Sequence, residues 1–141
     1  MGTTSQSETI DAALQATHTI AVVGLSDRVD RPAWEIGQYL QDIGLTIIPV
    51  HPTVREVHGE RAVRRVTDIP ADVEVETVCL FVRPEIGDEV VDDVIERGGV
   101  QFIWMQPGAT NPAAAERAEK AGIRVVRNAC IKVLYSLRMG D

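Results

Sequence analysis

The segment IAVVGLSDRVDRP (residues 20–32) contains residue types that bind phosphate groups. Gly24 ends an apolar run and allows a tight turn with a close approach of the backbone to a ligand. Arg28 and Arg31 can donate charge-assisted hydrogen bonds to a diphosphate. A helix that begins at Pro32 would point its free N–H groups and its positive dipole end at the same loop. The segment is therefore a candidate phosphate-binding loop.

A second interpretation of this loop stays open. Ser26 adds a hydroxyl group, but Asp27 and Asp30 reduce the local positive charge. On this reading Gly24 only turns the chain, and both arginines are solvated surface residues.

A dinucleotide fits the loop poorly on two counts. The Rossmann fingerprint needs three glycines in the spacing G-x-G-x-x-G, and this loop has no second glycine before Trp34. The fingerprint also places an acidic residue after the second strand. Val50, His51 and Pro52 occupy that place here.

The elements that must position this loop alternate along the chain. Ser5 and Glu8 form a capping-box pair that begins a leading helix within residues 1–17. Apolar runs then predict strands, separated by segments with helical periodicity. The predicted strands are HTIAVVG (18–24), LTIIPV (45–50), a short third strand near 62–64, ETVCLFV (76–82), VQFIWM (100–105) and IRVV (123–126). The predicted helices after the first run from Pro32 to Ile43, from Pro84 to Arg97, from Pro112 to Ala121, and from an N-cap at Asn128, with Leu134 and Leu137 facing inward.

This order predicts a single α/β domain over residues 1–141. We expect a Rossmann-like, doubly wound and mostly parallel sheet of five to six strands, with helices on both faces. Ligands of such sheets bind beyond the carboxyl ends of the strands. The loops on that edge begin with GLSDRVDRP, HPT, RPE and QPGATNP.

Composition narrows the class of ligand and the compartment. The 141 residues carry a formal net charge of −7, which disfavours nucleic acid because its binding needs a basic face. Cys79 and Cys130 stand in no metal-ligand spacing, so no metal site is predicted. No apolar stretch reaches about 18 residues, so we expect no membrane span. The N-terminal sequence has no signal-peptide pattern, which predicts a cytoplasmic protein.

Four segments together carry a family resemblance. VVGLSDRVDRPAW, IIPVHPT, FVRPE and WMQPGATN resemble, in this order, the small stand-alone CoA-binding domain proteins. That family is similar to the CoA-binding domain of the succinyl-CoA synthetase alpha subunit. The resemblance runs from about Thr19 to Lys132 and implies the same Rossmann-like fold.

The resemblance implies coenzyme A as the ligand, held at the strand ends. The implied contacts are Gly24, Leu25, Ser26, Arg31 and Pro32 at the phosphates and ribose, with Arg28 from the loop chemistry above; Val50, His51 and Pro52 at the adenine; Val82, Arg83 and Pro84 at the nucleotide and the start of the pantetheine arm; and Gln106 and Gly108 at the exit of that arm. Two positions depart from the family. His51 stands where relatives usually have asparagine, which bears on the adenine contacts. Asn128-Ala129 stands where they often have Asp-Arg before the cysteine, which bears on the role of that loop.

No catalytic set can be assembled from the sequence. His18 and His58 are predicted to be structural and exposed, respectively, and Cys130 to be a packed residue at a helix start. The acidic residues of EIGDEVVDDVIER (85–97) are predicted to form a solvated face.

The predicted function is therefore a non-catalytic CoA-binding or acyl-CoA-binding protein. Two alternatives remain: the non-catalytic half of an acyl-CoA synthetase-type enzyme that needs a partner chain, and an NAD(P)-binding regulator. A homodimer or an unidentified protein partner fits the sequence equally. Trp104 lies at the end of the fifth strand, beside the implied exit of the pantetheine arm. It either packs in the core or borders the site, and in the second case its fluorescence would change on CoA binding.

Overall fold

The computed structural model describes residues 5–139. The helices are α1 (Gln6–Ala16), α2 (Pro32–Asp42), α3 (Pro84–Arg97), α4 (Pro112–Lys120) and α5 (Ile131–Met139). The strands are β1 (Thr19–Val23), β2 (Thr46–Val50), β3 (Glu56–Val57), β4 (Glu60–Arg61), β5 (Thr77–Leu80), β6 (Phe102–Met105) and β7 (Arg124–Arg127).

Five parallel strands form the central sheet in the order β2-β1-β5-β6-β7. The chain builds outward from β1 to β2, then returns to the other side of β1 to place β5. The order of the strands therefore reverses between β1 and β5, which is where doubly wound sheets bind their ligands. The predicted fold class is confirmed.

Helices cover both faces of the sheet because the strands are apolar on both sides. One core contains residues of α3 and α4 together with Ala21, Val78 and Ile103 of the strands. The other contains residues of α1, α2 and α5 together with Val22 and Trp104. Neighbouring strand residues thus belong to opposite cores, as the pleat of a strand requires.

The predicted third strand is wrong. Residues 62–64 form only one bridge to the sheet, between Val63 and Val50. A separate antiparallel hairpin, β3–β4, precedes them. Its turn residues His58 and Gly59 have φ values of 55° and 77°, the combination that a tight two-residue hairpin turn requires. The residues before position 62 therefore form the hairpin in place of a strand of the central sheet, and the chain leaves the edge of that sheet after Val63.

The predicted start of the last helix is also wrong. Asn128 has a φ of 54°, whereas an N-cap residue adopts an extended backbone. α5 begins at Ile131, whose N–H donates to Oε1 of Gln106 at 2.8 Å. Leu137 is 72% exposed and does not face the core. The capping box of α1 and the Asn111 cap of α4 are confirmed.

Tyr135 on α5 gives the fold a testable dependence on alkaline pH. Burial raises the pKa of Tyr135 from 10.0 to about 12. Its contribution to stability is present below the unfolded pKa and is lost as pH rises from 10 to 12. We expect wild type to lose up to about 2.7 kcal/mol more than Tyr135→Phe over this range. Urea unfolding at a series of pH values measures this difference. A pH profile of Tyr135→Phe identical to that of wild type would contradict the prediction.

Candidate functional site

A cleft of about 1210 Å³ opens at the carboxyl ends of β2, β1, β5 and β6. Every site residue proposed from the sequence lines it except Leu25 and Pro84. Leu25 is fully buried in the core beneath α2, and Pro84 is the exposed first residue of α3. The other residues meet because parallel strands end at the same edge of the sheet. They are Gly24, Ser26, Arg28, Arg31, Pro32, Val50, His51, Pro52, Val82, Arg83, Gln106 and Gly108.

Gly24 joins the ends of three strands at the floor of the cleft. Its N–H donates to the Val50 carbonyl at 2.8 Å. Its φ is +91°, and a Cβ added there would lie 2.7 Å from the carbonyl oxygen of Phe81. A side chain is therefore excluded by both the backbone conformation and the neighbouring strand end.

The two loop arginines differ in their surroundings. Arg28 is exposed, and its Nη2 lies 3.5 Å from a carboxylate oxygen of Asp30. The backbone N–H of Arg28 donates to the Ser26 hydroxyl oxygen at 3.0 Å. Arg31 precedes α2 directly and makes no side-chain cap. No ion pair of Arg31 occurs within residues 5–139. Arg31 is thus the arginine of this loop whose guanidinium is available to an anion at the N-terminus of α2.

His51 is held in one orientation at the end of β2. Its Nδ1 accepts hydrogen bonds from the backbone N–H groups of Thr53 and Val54, both at 3.1 Å. An Nδ1 that accepts two hydrogen bonds carries no proton, so the neutral ring carries its proton on Nε2. His51 therefore adds the Nε2–H donor of its ring to the arginine donors among the residues that line the cleft.

An ion pair that sequence reasoning missed forms one wall of the cleft. Arg65 donates from Nε and Nη2 to the two carboxylate oxygens of Asp93, at 3.0 and 2.6 Å. Asp93 is only 7% exposed, which corrects the prediction that the acidic residues of α3 form a solvated face. These hydrogen bonds raise the pKa of Arg65. The pair fixes the irregular segment before β5 against α3.

Arginines outnumber carboxylates in the cleft although the whole chain is acidic. The lining arginines are Arg28, Arg31, Arg64, Arg65 and Arg83, and the lining carboxylates are Asp27, Glu89 and Asp93. The Arg64-Arg65 dipeptide is visible in the sequence, but no local pattern places it beside the β1 loop. Local positive charge of this kind suits an anionic ligand.

Arg65→Ala should weaken binding of an anion more than loss of one distant charge would. The substitution leaves the buried Asp93 carboxylate without its partner and facing the cleft, so it would repel phosphates. We expect affinity for a phosphate-bearing ligand to fall roughly tenfold or more, as measured by calorimetric titration. Restored affinity in Arg65→Ala/Asp93→Asn would show that the unpaired Asp93 carboxylate causes the loss. A double variant as weak as Arg65→Ala would refute that explanation.

The structure also gives the surroundings of His58 and Trp104. His58 was predicted to be exposed but is half-buried, with its Nε2 2.8 Å from the Trp34 carbonyl oxygen and its ring 4.8 Å from the Trp34 ring. Trp104 is fully buried and donates from Nε1 to the Ala129 carbonyl at 2.7 Å. It lies outside the set of residues that line the cleft. Trp104 therefore supports the loop before α5 from inside the core.

Two kinds of feature were not found among residues 5–139. Within residues 5–139, no three His, Cys, Asp or Glu side chains come together in a way that could hold a metal ion. None of the helices they form is long and apolar enough to span a membrane.

The fold and the cleft agree with what comparison of the sequence finds. A family model described as a CoA binding domain matches residues 18–136. The chain belongs to the CoA binding domain family. The match includes all the loops that form the cleft, from the β1 loop to the residues before α5.

Relatives and solved structures extend this assignment. Protein YneT of Bacillus subtilis (strain 168) is 36% identical over 124 residues, covering 88% of this chain and 90% of YneT. A solved protein of Pyrococcus horikoshii OT3 superposes with a TM-score of 0.89 at 32% identity, covering 99% of this chain and 100% of that chain. A dinucleotide-forming acetyl-coenzyme A synthetase of Ca. Korarchaeum cryptofilum matches with a TM-score of 0.66 at 26% identity. That match covers 77% of this chain and 25% of the synthetase chain.

Proposed function

We propose that this protein binds coenzyme A or an acyl-CoA in the cleft and does not catalyse a reaction on it. The observation that carries the proposal is that the candidate phosphate-binding loop and a wall with an amide side chain lie in one continuous cleft. The loop contributes Gly24, Arg31 and the N-terminus of α2, and the wall contributes Gln106 and Gly108. The family of the chain supports the same ligand.

The length of the cleft suits an elongated ligand. It reaches from His51 after β2 to Gln106 after β6 and crosses the ends of four adjacent strands. At about 4.8 Å between neighbours, the strand ends span about 14 Å. CoA carries a charged nucleotide at one end and a long, uncharged pantetheine arm at the other. We place the phosphates at the arginine-rich loop and the arm along β5 toward Gln106.

The surroundings of the cleft do not favour a nicotinamide dinucleotide. The β1 loop holds one glycine, Gly24, where the dinucleotide fingerprint uses three. After β2, the ring of His51 stands where a ribose-binding carboxylate would be expected. Both features are compatible with CoA, whose ribose carries a 3′-phosphate that a carboxylate would repel.

A thermal-shift titration with CoA, acetyl-CoA, 3′-dephospho-CoA, NADH and NADP tests the proposal. A ligand that binds only the folded protein stabilises it by about 2.7 kcal/mol at a hundredfold excess over Kd. We expect CoA and acetyl-CoA to raise the unfolding midpoint and NADH to leave it unchanged. A shift with NADH and none with CoA, in protein shown to be free of ligand, would overturn the proposal.

Arg31→Ala supplies the matched variant for this titration. Arg31 is the N-cap residue of α2, but its side chain makes no capping hydrogen bond and no ion pair within the described chain, so truncating it should leave folding nearly unchanged. Loss of a charge-assisted bond to phosphate should lower CoA affinity roughly tenfold or more. Lys120→Ala, on the exposed end of α4, removes the same charge far from the cleft and should bind CoA like wild type. Equal affinities of the two variants would remove Arg31 from the site.

The similarity to the acetyl-CoA synthetase supports a second candidate function. The matched 77% of this chain corresponds to 25% of the synthetase chain, so we also consider this protein as the CoA-binding component of a two-chain ligase. On that proposal, a tagged form of the protein would purify with a nucleotide-binding ligase subunit and gain acyl-CoA synthetase activity with it. CoA binding by the isolated protein, with no such subunit recovered, would favour the stand-alone binding protein.

A further inference from the structure

A free cysteine lies at the end of the cleft where the proposed pantetheine arm would finish. Cys130 is half-buried, forms no disulfide and is one of the residues that line the cleft. Its carbonyl oxygen accepts the N–H of Leu134 at 3.1 Å, which makes Cys130 the residue that precedes the first turn of α5. The backbone of Cys130 is therefore held by the first turn of α5, and its side chain is only half-buried.

A second, independent feature beside Cys130 is the buried amide group of Gln106, which indicates a ligand position. Gln106 is only 4% exposed, and its Oε1 accepts the N–H of Ile131, the residue after Cys130, at 2.8 Å. Because a backbone N–H needs an oxygen there, the assignment of Oε1 and Nε2 is set, and Nε2 is the donor that remains. Nε2 donates to no residue in the part of the chain described, yet it is not sealed from solvent.

Gln106 is one of the residues that line the cleft, so this unpaired donor is available to a ligand there. An amide N–H that no protein group accepts can donate a hydrogen bond to a carbonyl oxygen of a ligand. The pantetheine arm of CoA contains two amide carbonyls, and its thiol lies two methylene groups beyond the last amide. An amide carbonyl bound to Gln106 Nε2 would therefore bring the thiol of CoA near Cys130.

We propose that Cys130 forms a reversible mixed disulfide with CoA held in the cleft. The inference rests on the proposed function, because CoA must first bind there. The co-reactant is a CoA disulfide. The Cys130 thiolate attacks one sulfur of that disulfide, the new Cys130–CoA bond forms, and the original S–S bond breaks. The second CoA leaves as a thiolate and takes up a proton, so one disulfide is consumed and one is formed.

The other cysteine does not compete for this reaction. Cys79 is fully buried in β5, with its Sγ 3.8 Å from Oε1 of Gln106. Burial raises the pKa of Cys79 well above its usual range, so the side chain stays a thiol. The thiolate is the nucleophile in disulfide exchange. Modification should therefore be confined to Cys130.

The experiment is to incubate the purified full chain with CoA disulfide and to follow the intact mass. Glutathione disulfide serves as the comparison reagent. We expect one CoA adduct per chain, mapped by peptide mass spectrometry to Cys130, absent in Cys130→Ser and removed by dithiothreitol. Binding raises the effective concentration of the reacting sulfur. The adduct should therefore form at least roughly tenfold faster than with glutathione disulfide, and CoA lacking its sulfur should slow it.

Thermal shift with CoA in the presence of dithiothreitol separates this inference from the proposed function, because it reports reversible binding without any adduct. A shift with CoA but no adduct would overturn the inference and leave the proposed function standing. Equal rates with the two disulfides, an adduct at Cys79, or only an internal Cys79–Cys130 disulfide would also overturn it. Absence of both the shift and the adduct would overturn both.

Discussion

Gly24→Ala should unfold at a markedly lower denaturant concentration than wild type and should lose CoA binding. A left-handed backbone costs a residue with a Cβ about 1–2 kcal/mol. The added Cβ would also lie 2.7 Å from the Phe81 carbonyl oxygen and 3.2 Å from a methyl group of Val82. Relieving such a contact in a packed region costs about 1–3 kcal/mol. The free energy of unfolding should therefore fall by about 2–5 kcal/mol, measured by urea unfolding.

Gly122→Ala is the matched control for this prediction. Gly122 has nearly the same φ, +89°, but a Cβ there would meet no atom within 4 Å. Its substitution should cost only the backbone term of about 1–2 kcal/mol and should leave CoA binding intact. If both variants lose the same free energy of unfolding, the close approach of Gly24 to the end of β5 adds nothing to the cost of the substitution.

Outside the β1 loop that begins at Gly24, no single substitution should lower the free energy of unfolding more than Trp104→Ala. Trp104 is fully buried among residues of α1, α2 and α5, and its indole N–H bonds the Ala129 carbonyl. Truncating a buried tryptophan removes apolar contacts and leaves a cavity, which costs about 3–5 kcal/mol. The bond to Ala129 also holds the loop that carries Cys130, so CoA affinity should fall even where the variant stays folded.

Trp34→Ala separates burial from the mere loss of an indole ring. Trp34 is half-buried on α2 and packs on His58 of the hairpin. Its removal should cost less than that of Trp104, because less apolar surface returns to water. Urea unfolding of the two variants measures both losses. Equal losses would show that the deeper burial of Trp104 does not increase its contribution to the free energy of unfolding.

Local charge and global charge act separately in this protein. The formal net charge is −7, yet arginines are the more numerous charged residues of the cleft. Charges beyond about 8 Å are largely screened at physiological ionic strength. The acidic surface therefore does not prevent an anionic ligand from binding at the end of α2, although it opposes binding of a long polyanion.

The sequence by itself determined the alternation of strands and helices and the loops that meet at the ligand edge. The apolar runs, the prolines that begin α2, α3 and α4, and the cap of Asn111 are local signals. They hold because helix starts and strand burial depend on residues a few positions apart. Parallel strands then bring the β1 and β6 loops together, which is why Gly24, Arg31 and Gln106 share a cleft as the sequence implied.

Only the tertiary structure decided the features that join distant parts of the chain. Arg65 pairs with Asp93, 28 positions away, and Gln106 caps α5, 25 positions away. No periodicity encodes such contacts, because they depend on how α3 and α5 pack on the sheet. The same packing buries Leu25, leaves residues 62–64 at the sheet edge with one bridge, and places Cys130 in the cleft. Local sequence thus set the elements, and long-range packing decided which side chains line the cleft.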